Sequence, residues 1–236
     1  MYTCLAQGDH LLNPQEGVTR SDVFGGQEVR YSLSNLWGGP DEQVEQTIAK
    51  MLQYAVEDSK TPEIREDARV ALELGGGDPV LGVWKLCKQR FRFQQDVDTV
   101  RGTGLSQRVK DRIIEVIIRP LDLSLMYRRS LQPVEDCDGY TGYMASLLLA
   151  LGVACNFCAV ACDPGDPSQY THVYVVVYRD GARIAVDASH GKWCGWEVPN
   201  PYGKRKEWEV QKVPVVGYLL LAALVGALVW GCLKGE

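Results

Sequence analysis

Apolar residues recur every three or four positions through much of the first half of the chain, which is the spacing of one helix face. Proline directly after threonine or aspartate marks helix starts, and a glycine run or a proline marks helix ends. These signals predict four helices: from Asp41, from Thr61 to the glycines at 75–77, from Asp78 to Phe91, and from Ser106 to Pro120. In the last helix, the residues predicted to face inward are Val109, Ile113, Val116 and Ile117.

The second half of the chain has a different pattern. One helix is predicted from Cys137 to Leu151, where Gly152 closes it. Strands are predicted over about 154–161, 171–179 and 182–188, and Asp180-Gly181 between the last two is a two-residue hairpin signal. Helices followed by antiparallel strands predict an α+β fold.

These patterns predict four regions along the chain. Residues 1–60 are predicted to be an N-terminal extension, extended or loosely folded up to residue 40 and then containing one helix. Residues 61–200 are predicted to form the main globular domain, and residues 201–212 a basic linker. Residues 213–233 follow as a separate apolar segment.

The apolar segment has the length and composition of a transmembrane helix. Residues 213–233 contain no charged residue, and 21 residues in a helix span about 30 Å, the thickness of a bilayer hydrocarbon core. Tyr218 and Trp230 lie near the two ends, where aromatic rings favour the membrane interface. The alternative is a buried core helix, although such a helix normally has a polar face.

The charges around this segment predict its orientation. Four basic residues precede the segment and one follows it: Lys204, Arg205, Lys206 and Lys212 before, Lys234 after. The positive-inside rule therefore predicts a single-pass tail anchor with the globular part on the cytoplasmic side. Small residues at four-residue spacing, Ala223, Ala227 and Gly231, allow helix–helix association in the membrane, although such a stripe is common by chance in Ala- and Gly-rich spans.

The overall composition excludes two classes of protein. Of the 236 residues, 46% are hydrophobic and 23% are charged, which excludes a wholly disordered chain. The formal net charge of −5 argues against a nucleic-acid partner, because phosphate binding requires clustered lysine and arginine.

The cysteine pattern does not predict a metal site or a disulfide framework. There are eight cysteines, and a cytoplasmic domain would keep them reduced. Cys155 and Cys158 form the one C-x-x-C pair, and no second pair follows at zinc-ribbon spacing. Small buried thiols are the more frequent explanation, so we expect neither a metal nor another cofactor.

The predicted hairpin brings a histidine and an aspartate together. If Asp180-Gly181 is the turn, Arg179 pairs with Ala182, and His172 and Asp187 become diagonal neighbours on one face, about 7 Å or less apart at Cβ. The opposite face is a continuous apolar layer that fixes this register: Val173, Val175, Val177, Ile184, Val186 and Ala188. A carboxylate beside a histidine orients the ring and stabilises its cationic form, as in nucleophilic catalysis.

Cys137 is the candidate nucleophile for this pair. It lies at the start of a predicted helix, where backbone N–H groups and the helix dipole favour a thiolate and can stabilise an oxyanion. The flanking residues Glu135, Asp136 and Asp138 raise the pKa of the thiol, so a thiolate would need an ion pair with protonated His172. From spacing alone, a buried structural cysteine remains the alternative.

Three motifs resemble one known family. The stretch DCDGYTGYMASLLLALGV resembles the nucleophile helix of the transglutaminase-like (papain-like cysteine protease) superfamily, while THVYVVVY and IAVDAS resemble its histidine and aspartate strands, in the family's order. TPEIREDARVAL and FRFQQDVDTV resemble the preceding segments in versions common in bacteriophage and bacterial genomes. The resemblance covers roughly residues 61–199. The sequence departs from the family's pattern at Glu135, where glycine is frequent, and at Gly139, where many members have an acidic or bulky residue.

The resemblance implies a papain-like catalytic domain over 61–200, in which N-terminal helices and the nucleophile helix pack on an antiparallel sheet. It also implies the catalytic set Cys137, His172 and Asp187. Gln132 is a weaker candidate for the oxyanion hole, and Trp193 and Trp196 for the roof of a substrate cleft, although a loop role and packing roles are more frequent. His190 would replace His172 if the hairpin register differed.

We therefore expect a membrane-anchored thiol enzyme that acts on amide bonds of a protein or peptide. Cysteine protease or amidase chemistry is favoured over lysine cross-linking by analogy with small single-domain relatives. The alternative is a catalytically inactive interaction or structural module at a membrane, such as a module in a phage particle. If the chain is phage-encoded, we expect it to lie in the virion membrane.

Deletion of residues 213–236 tests the predicted membrane anchor. We expect the truncated chain to remain in the supernatant when membranes are sedimented, because the deletion removes the apolar span. The measurement is the distribution of full-length and truncated chains between membrane pellet and supernatant. Sedimentation of the truncated chain with membranes would contradict the prediction.

Overall fold

A computed structural model describes residues 3–4, 18–24, 27–35, 38–99 and 114–210. The predicted membrane segment at 213–233, and residues 106–113 of the predicted fourth helix, lie outside these ranges. Among the helices within the described ranges, none has both the length and the apolar character needed to cross a bilayer.

The predicted α+β fold is confirmed at the level of mixed helices and antiparallel sheets. The helices of the described ranges are α1 (Pro40–Asp58), α2 (Pro62–Leu74), α3 (Pro79–Arg90), α4 (Asp96–Thr99), α5 (Pro120–Arg128) and α6 (Cys137–Ala150). The strands are β1 (Thr3–Cys4), β2 (Val18–Phe24), β3 (Gln27–Asn35), β4 (Arg92–Phe93), β5 (Ile114–Ile117), β6 (Val134–Glu135), β7 (Cys155–Val160), β8 (His172–Arg179), β9 (Ala182–Val186) and β10 (Arg205–Val210).

The strands of the described ranges form three sheets. The order in one antiparallel sheet is β10-β7-β8-β9, and in the other it is β1-β2-β3-β5. The short strands β4 and β6 pair in parallel, which brings the end of α3 beside the chain that leads into α6.

Side-chain caps fix the starts of the predicted second and third helices. The Thr61 hydroxyl accepts a hydrogen bond from the Ile64 N–H, and the Asp78 carboxylate accepts from Val80 and Leu81. Each caps a helix that begins with proline, whose missing N–H costs nothing at the first helical position. The predictions for α1, α2, α3 and α6 are therefore confirmed in type and position.

Helix α6 lies at the centre of the core. It packs against α1, α2, α3 and α5 on one side and against β7 and β8 on the other. Its residues from Asp138 to Leu149 are all buried, so the helix has no solvent-facing side. The Cys137 end of this helix is therefore held between the helical layer and the sheet.

The predicted hairpin register is confirmed. Val175 pairs with Val186 and Arg179 with Ala182, as predicted from a turn at Asp180-Gly181. Both turn residues have positive φ, 53° and 76°, which a type I′ turn requires.

The predicted fourth helix is wrong over its described part. Residues Ile114–Ile117 form β5, which pairs with β3, and Pro120 begins α5 instead of ending a helix. Five of the six residues from 113 to 118 are β-branched, which explains the difference, because such residues favour strands when a partner strand is present.

The predicted basic linker is also wrong over Arg205–Val210, which is the edge strand β10 paired with β7. Glu45 of α1 accepts hydrogen bonds from Lys206 and from Trp208 Nε1 of this strand. The predicted extension likewise departs from a loose arm, because its backbone includes paired strands β2 and β3, and α1 contributes Ile48 and Met51 to the core.

Asp67 on α2 joins several helices through buried polar contacts. It forms ion pairs with Arg90 at 2.8 Å and Arg128 at 2.7 Å, and accepts a hydrogen bond from the Tyr143 hydroxyl at 2.7 Å. Asp67 and Arg90 are almost completely buried, 1% and 7% exposed. Because water does not reach them, each charge is stabilised by its ion pair with the other.

We expect Asp67→Ala to lower the free energy of unfolding by about 3–5 kcal/mol, because it leaves the Arg90 charge buried without its partner. The matched control is Glu66→Ala, which removes the adjacent exposed carboxylate and should change stability by about 0.5 kcal/mol or less. The measurement is urea unfolding followed by circular dichroism. Equal losses for the two variants would contradict a structural role of the Asp67 network.

Candidate active site

The β8–β9 hairpin brings His172 and Asp187 into direct contact. His172 Nε2 lies 2.8 Å from Asp187 Oδ2, and both residues are buried, 5% and 1% exposed. Because Nε2 is hydrogen-bonded to the carboxylate, Nδ1 is the ring nitrogen left to exchange a proton with another group.

Asp187 is held by further donors. Its Oδ1 accepts hydrogen bonds from the Ser189 hydroxyl at 2.8 Å and the His190 N–H at 2.9 Å, while its backbone carbonyl accepts from Trp84 Nε1 at 2.8 Å. Burial by itself raises the pKa of Asp187, but the hydrogen bond and charge of His172, with the bonds from His190 and Ser189, lower the pKa to about 2. The carboxylate is therefore ionised whenever the protein is near neutral pH.

The turn after Asp187 requires a glycine. A Cβ at residue 191 would lie 2.0 Å from the Asp187 carbonyl oxygen and 3.3 Å from Trp84 Nε1. Gly191 therefore allows the chain to pass close to the Asp187 carbonyl, which accepts the hydrogen bond from Trp84 Nε1.

Cys137 begins α6 and faces the same strand. The backbone N–H of Val173 lies beside the thiol, and Thr141, one helical turn later, donates a hydrogen bond from its hydroxyl to the Val173 carbonyl at 3.1 Å. Since Val173 follows His172 directly, these contacts place the first turn of α6 against the start of β8.

Cys137 and His172 line one cleft of about 360 Å³. Helix α1 forms one wall through Val44, Thr47, Ile48 and Met51. Asp187 is outside the lining and is bound to His172, so Cys137 and His172 both border the cleft and the carboxylate lies behind the imidazole.

The thiol of Cys137 is protonated in this arrangement. Burial raises its pKa well above the usual range, and the charges of Asp136, Glu115 and Asp187 raise it further, while the Val173 N–H lowers it. Of the three flanking acidic residues expected from the sequence to raise the pKa of Cys137, Asp136 has this effect. A base must remove the thiol proton as the sulfur reacts.

The acidic flank is buried. Burial and the charge of Asp136 raise the pKa of Glu135 and Asp138 well above the usual range, and the same two causes, with the charges of Glu115 and Glu135, raise the pKa of Asp96. Asp136 is the N-cap of α6, and its Oδ1 accepts from the Asp138 N–H at 3.1 Å.

The two departures from the family's pattern are linked in space. A Cβ at residue 139 would lie 2.2 Å from Glu135 Oε2. The Glu135 carboxyl group thus occupies the space that a side chain at 139 would fill, which explains why an acidic residue at 135 occurs together with Gly139.

The weaker candidates lie away from the cleft of Cys137. Gln132 lines a different pocket, together with Arg90 and Arg128. Trp193 is 58% exposed, and the half-buried Trp196 lies under the Lys192 ammonium group, 5.9 Å from its ring centroid. Neither tryptophan lines the cleft.

His190 contacts the histidine–aspartate pair without replacing His172. Its ring packs edge-on against His172 with centroids 4.7 Å apart, and its Nδ1 lies 3.1 Å from the Ser189 hydroxyl. Burial and the charge of His172 lower its pKa.

Two sets of described side chains have the spacing of metal ligands: His172, Asp187 and His190, and Asp96, Glu135 and Asp136. In the first set, the His172–Asp187 hydrogen bond occupies an oxygen of the carboxylate and Nε2 of the ring. A metal bound through those atoms would displace the bond that orients His172.

Sequence reasoning missed three residues that support the site: Trp84, Thr141 and Ser189. Serine two residues after aspartate is a local turn signal that could have identified Ser189. Trp84 is 103 positions from the carbonyl it contacts, and no local pattern predicts that contact.

No protein-family model and no curated protein matches the chain. Among solved structures, the chain is similar to a protein from Cytophaga hutchinsonii that is provisionally described as a cysteine protease, with 14% identity and a TM-score of 0.34. The match covers 69% of this chain and 50% of that protein, so this chain spans about half its length. Because the identity and the TM-score are low, this similarity does not identify the chemistry of the site.

The low pKa of Asp187 predicts an acid-sensitive contribution to stability. Its pKa is lower in the folded state than in the unfolded state, about 2 against about 3.9, so the stabilisation is complete above pH 4 and is lost as pH falls towards 2. We expect Asp187→Asn to lower the free energy of unfolding by about 2 kcal/mol more at pH 6 than at pH 2.

Urea unfolding of wild type and variant across this pH range measures the difference. The control is Asp180→Asn in the exposed hairpin turn, where asparagine also tolerates positive φ. A destabilisation by Asp187→Asn that does not change with pH would contradict the prediction.

Proposed function

We propose that the protein is a thiol-dependent acyl-transfer enzyme of the transglutaminase-like superfamily that hydrolyses amide bonds in a protein or peptide. The observation that carries this proposal is that Cys137 and His172 line one cleft and that Asp187, outside the lining, is bound to His172 Nε2 at 2.8 Å.

In the proposed reaction, His172 is the general base. As the Cys137 sulfur attacks the carbonyl carbon of the amide, its proton passes to Nδ1 of His172, and Asp187 stabilises the resulting imidazolium through Nε2. The proton then passes from Nδ1 to the departing amine as the C–N bond breaks, which leaves a thioester on Cys137. Water, deprotonated by His172, attacks the thioester and releases the acid and the free thiol.

The start of α6 supports the proposed oxyanion site. The first N–H groups of a helix have no acceptor within the helix, and Cys137 is the first residue of α6. The Asp138 N–H already donates to Asp136 Oδ1, so a carbonyl oxygen attacked by Cys137 would develop negative charge close to the Cys137 N–H and to the positive end of the helix dipole.

The charge of the cleft supports a cationic substrate. Its described lining includes Glu115, Asp136 and Asp163, and it includes no lysine or arginine. We therefore propose that the preferred peptides carry lysine or arginine near the scissile bond, because acidic walls attract basic side chains and repel acidic ones.

The sequence of residues 213–233 supports a membrane tether for this enzyme, with the catalytic cleft on the cytoplasmic side. A tethered hydrolase would act on peptides or proteins close to the membrane surface.

Labelling with a chloroacetamide probe tests the thiol enzyme. We expect Cys137 to react near neutral pH faster than Cys194, which is also half-buried, and we expect His172→Ala to slow the reaction at least tenfold, because it removes the base. Mass spectrometry of labelled peptides gives the rate at each cysteine.

Cys137→Ser should abolish the fast labelling, and Cys194→Ser should leave it unchanged. If Cys137 reacts no faster than Cys194, or if His172→Ala has no effect, the catalytic proposal fails and the inactive interaction module becomes the better explanation.

A further inference from the structure

Tyr174 lies directly against the ring of His172. The two residues are successive neighbours on one face of β8, and their rings are stacked, with an interplanar angle of 25° and centroids 5.7 Å apart. Tyr174 is 0% exposed, so the contact is closed to solvent. Because His172 is the first residue of β8, Tyr174 is the neighbour that this strand supplies on the same face.

The hydrogen bond to Asp187 fixes one atom of the His172 ring but leaves its plane free to tilt. Rotation about the Cβ–Cγ bond moves Nδ1 further than it moves Nε2, and this torsion has a broad energy minimum. His190 contacts the ring edge-on, at 77°. The stacked ring of Tyr174 covers a face of the imidazole, so a tilt would drive the two rings into each other.

The far end of the Tyr174 ring is anchored. Its hydroxyl donates a hydrogen bond to Glu197 Oε1, and burial raises the pKa of Tyr174, so the hydroxyl keeps its proton. Glu197 forms ion pairs with Arg183 of β9 at 2.5 Å and with Arg205 of β10 at 3.1 Å. These two strands are the edges of one sheet, so contacts from both edges hold the ring in place.

Packing by itself does not account for a tyrosine at this position. Tyr174 belongs to a small apolar cluster that it shares with Val176, the next residue on the same face of β8, and Val176 is equally buried. An aliphatic side chain is therefore sufficient to fill this cluster. Tyrosine adds a flat ring against His172 and a hydroxyl bound to Glu197, and both features act on the orientation of His172.

We propose that Tyr174 is a positioning residue for His172: its stacked ring fixes the imidazole plane, and with it Nδ1, for proton transfer from Cys137. The aromatic face also attracts the positive charge that His172 acquires when it takes the thiol proton. The role rests on the proposed function, because the plane of the ring affects the chemistry only if His172 is the base.

Chloroacetamide labelling of Cys137 tests this role. Tyr174→Leu removes the flat ring and should slow labelling roughly tenfold or more, since a small misplacement of a catalytic group has a large effect on rate. Tyr174→Phe keeps the ring and should restore most of the wild-type rate. The control Val176→Ala leaves a cavity in the same cluster and should label at the wild-type rate.

Proton NMR separates positioning of the ring from a loss of stability. An imidazole N–H that donates to a buried carboxylate resonates far downfield of the amide protons, and His172→Ala assigns this signal by removing it. Tyr174→Leu should broaden or remove the signal, because the loosely held ring exchanges its proton with water. Tyr174→Phe and Val176→Ala should retain it. Urea unfolding followed by circular dichroism establishes that each variant is folded.

The role of Tyr174 is overturned if Tyr174→Leu, shown to be folded, keeps either the wild-type labelling rate or the downfield signal. It is also overturned if Val176→Ala slows labelling as much as Tyr174→Leu does, because the effect is then one of stability. If Tyr174→Leu does not fold, Tyr174→Met is measured with the same expectations, since its flexible side chain adapts to the space.

Failure of the proposed function gives a different result. Cys137 of the wild type would then label no faster than Cys194, whatever residue is at position 174. The downfield signal does not depend on the reactivity of the thiol, so its loss or retention in Tyr174→Leu still decides whether Tyr174 orients His172.

Discussion

The buried hydrogen bond between His172 and Asp187 is the interaction on which the candidate site depends. It fixes the orientation of the imidazole, and it uses Nε2 so that Nδ1 is left for the cleft. The bond in turn depends on the hairpin register, because a shift of one residue would move both side chains to the opposite face of the sheet. Ser189, His190 and Trp84 then hold Asp187 from three directions.

The start of α6 serves two purposes that oppose each other electrostatically. A nucleophilic thiol benefits from exposed N–H groups and from a low pKa, yet the N-cap carboxylate of the same turn, Asp136, raises the pKa of Cys137. Each buried carboxylate without a donor costs about 1–3 kcal/mol, and the close packing of α6 in the core offsets that cost.

The helix that precedes the predicted catalytic domain belongs to the site. Helix α1 supplies one wall of the cleft, and contacts from Glu45 to Lys206 and Trp208 fasten it to the edge strand β10. A segment that precedes the predicted domain thus lines the cleft of Cys137 and His172. A domain defined by the resemblance alone, over 61–200, would lack this wall.

The sequence by itself determined the features that depend on neighbours along the chain. Proline and capping residues set the starts of α2 and α3, and Asp180-Gly181 with an alternating apolar face set the hairpin register and hence the His172–Asp187 pair. The tertiary structure decided the features that depend on distant partners. Ile114–Ile117 became a strand because β3 lies beside it, Arg205–Val210 became a strand because β7 accepts it, and Asp96 meets Glu135 only because β4 pairs with β6. The local spacing of apolar and polar residues does not predict such pairings, because they are stabilised by hydrogen bonds and burial between segments far apart in sequence.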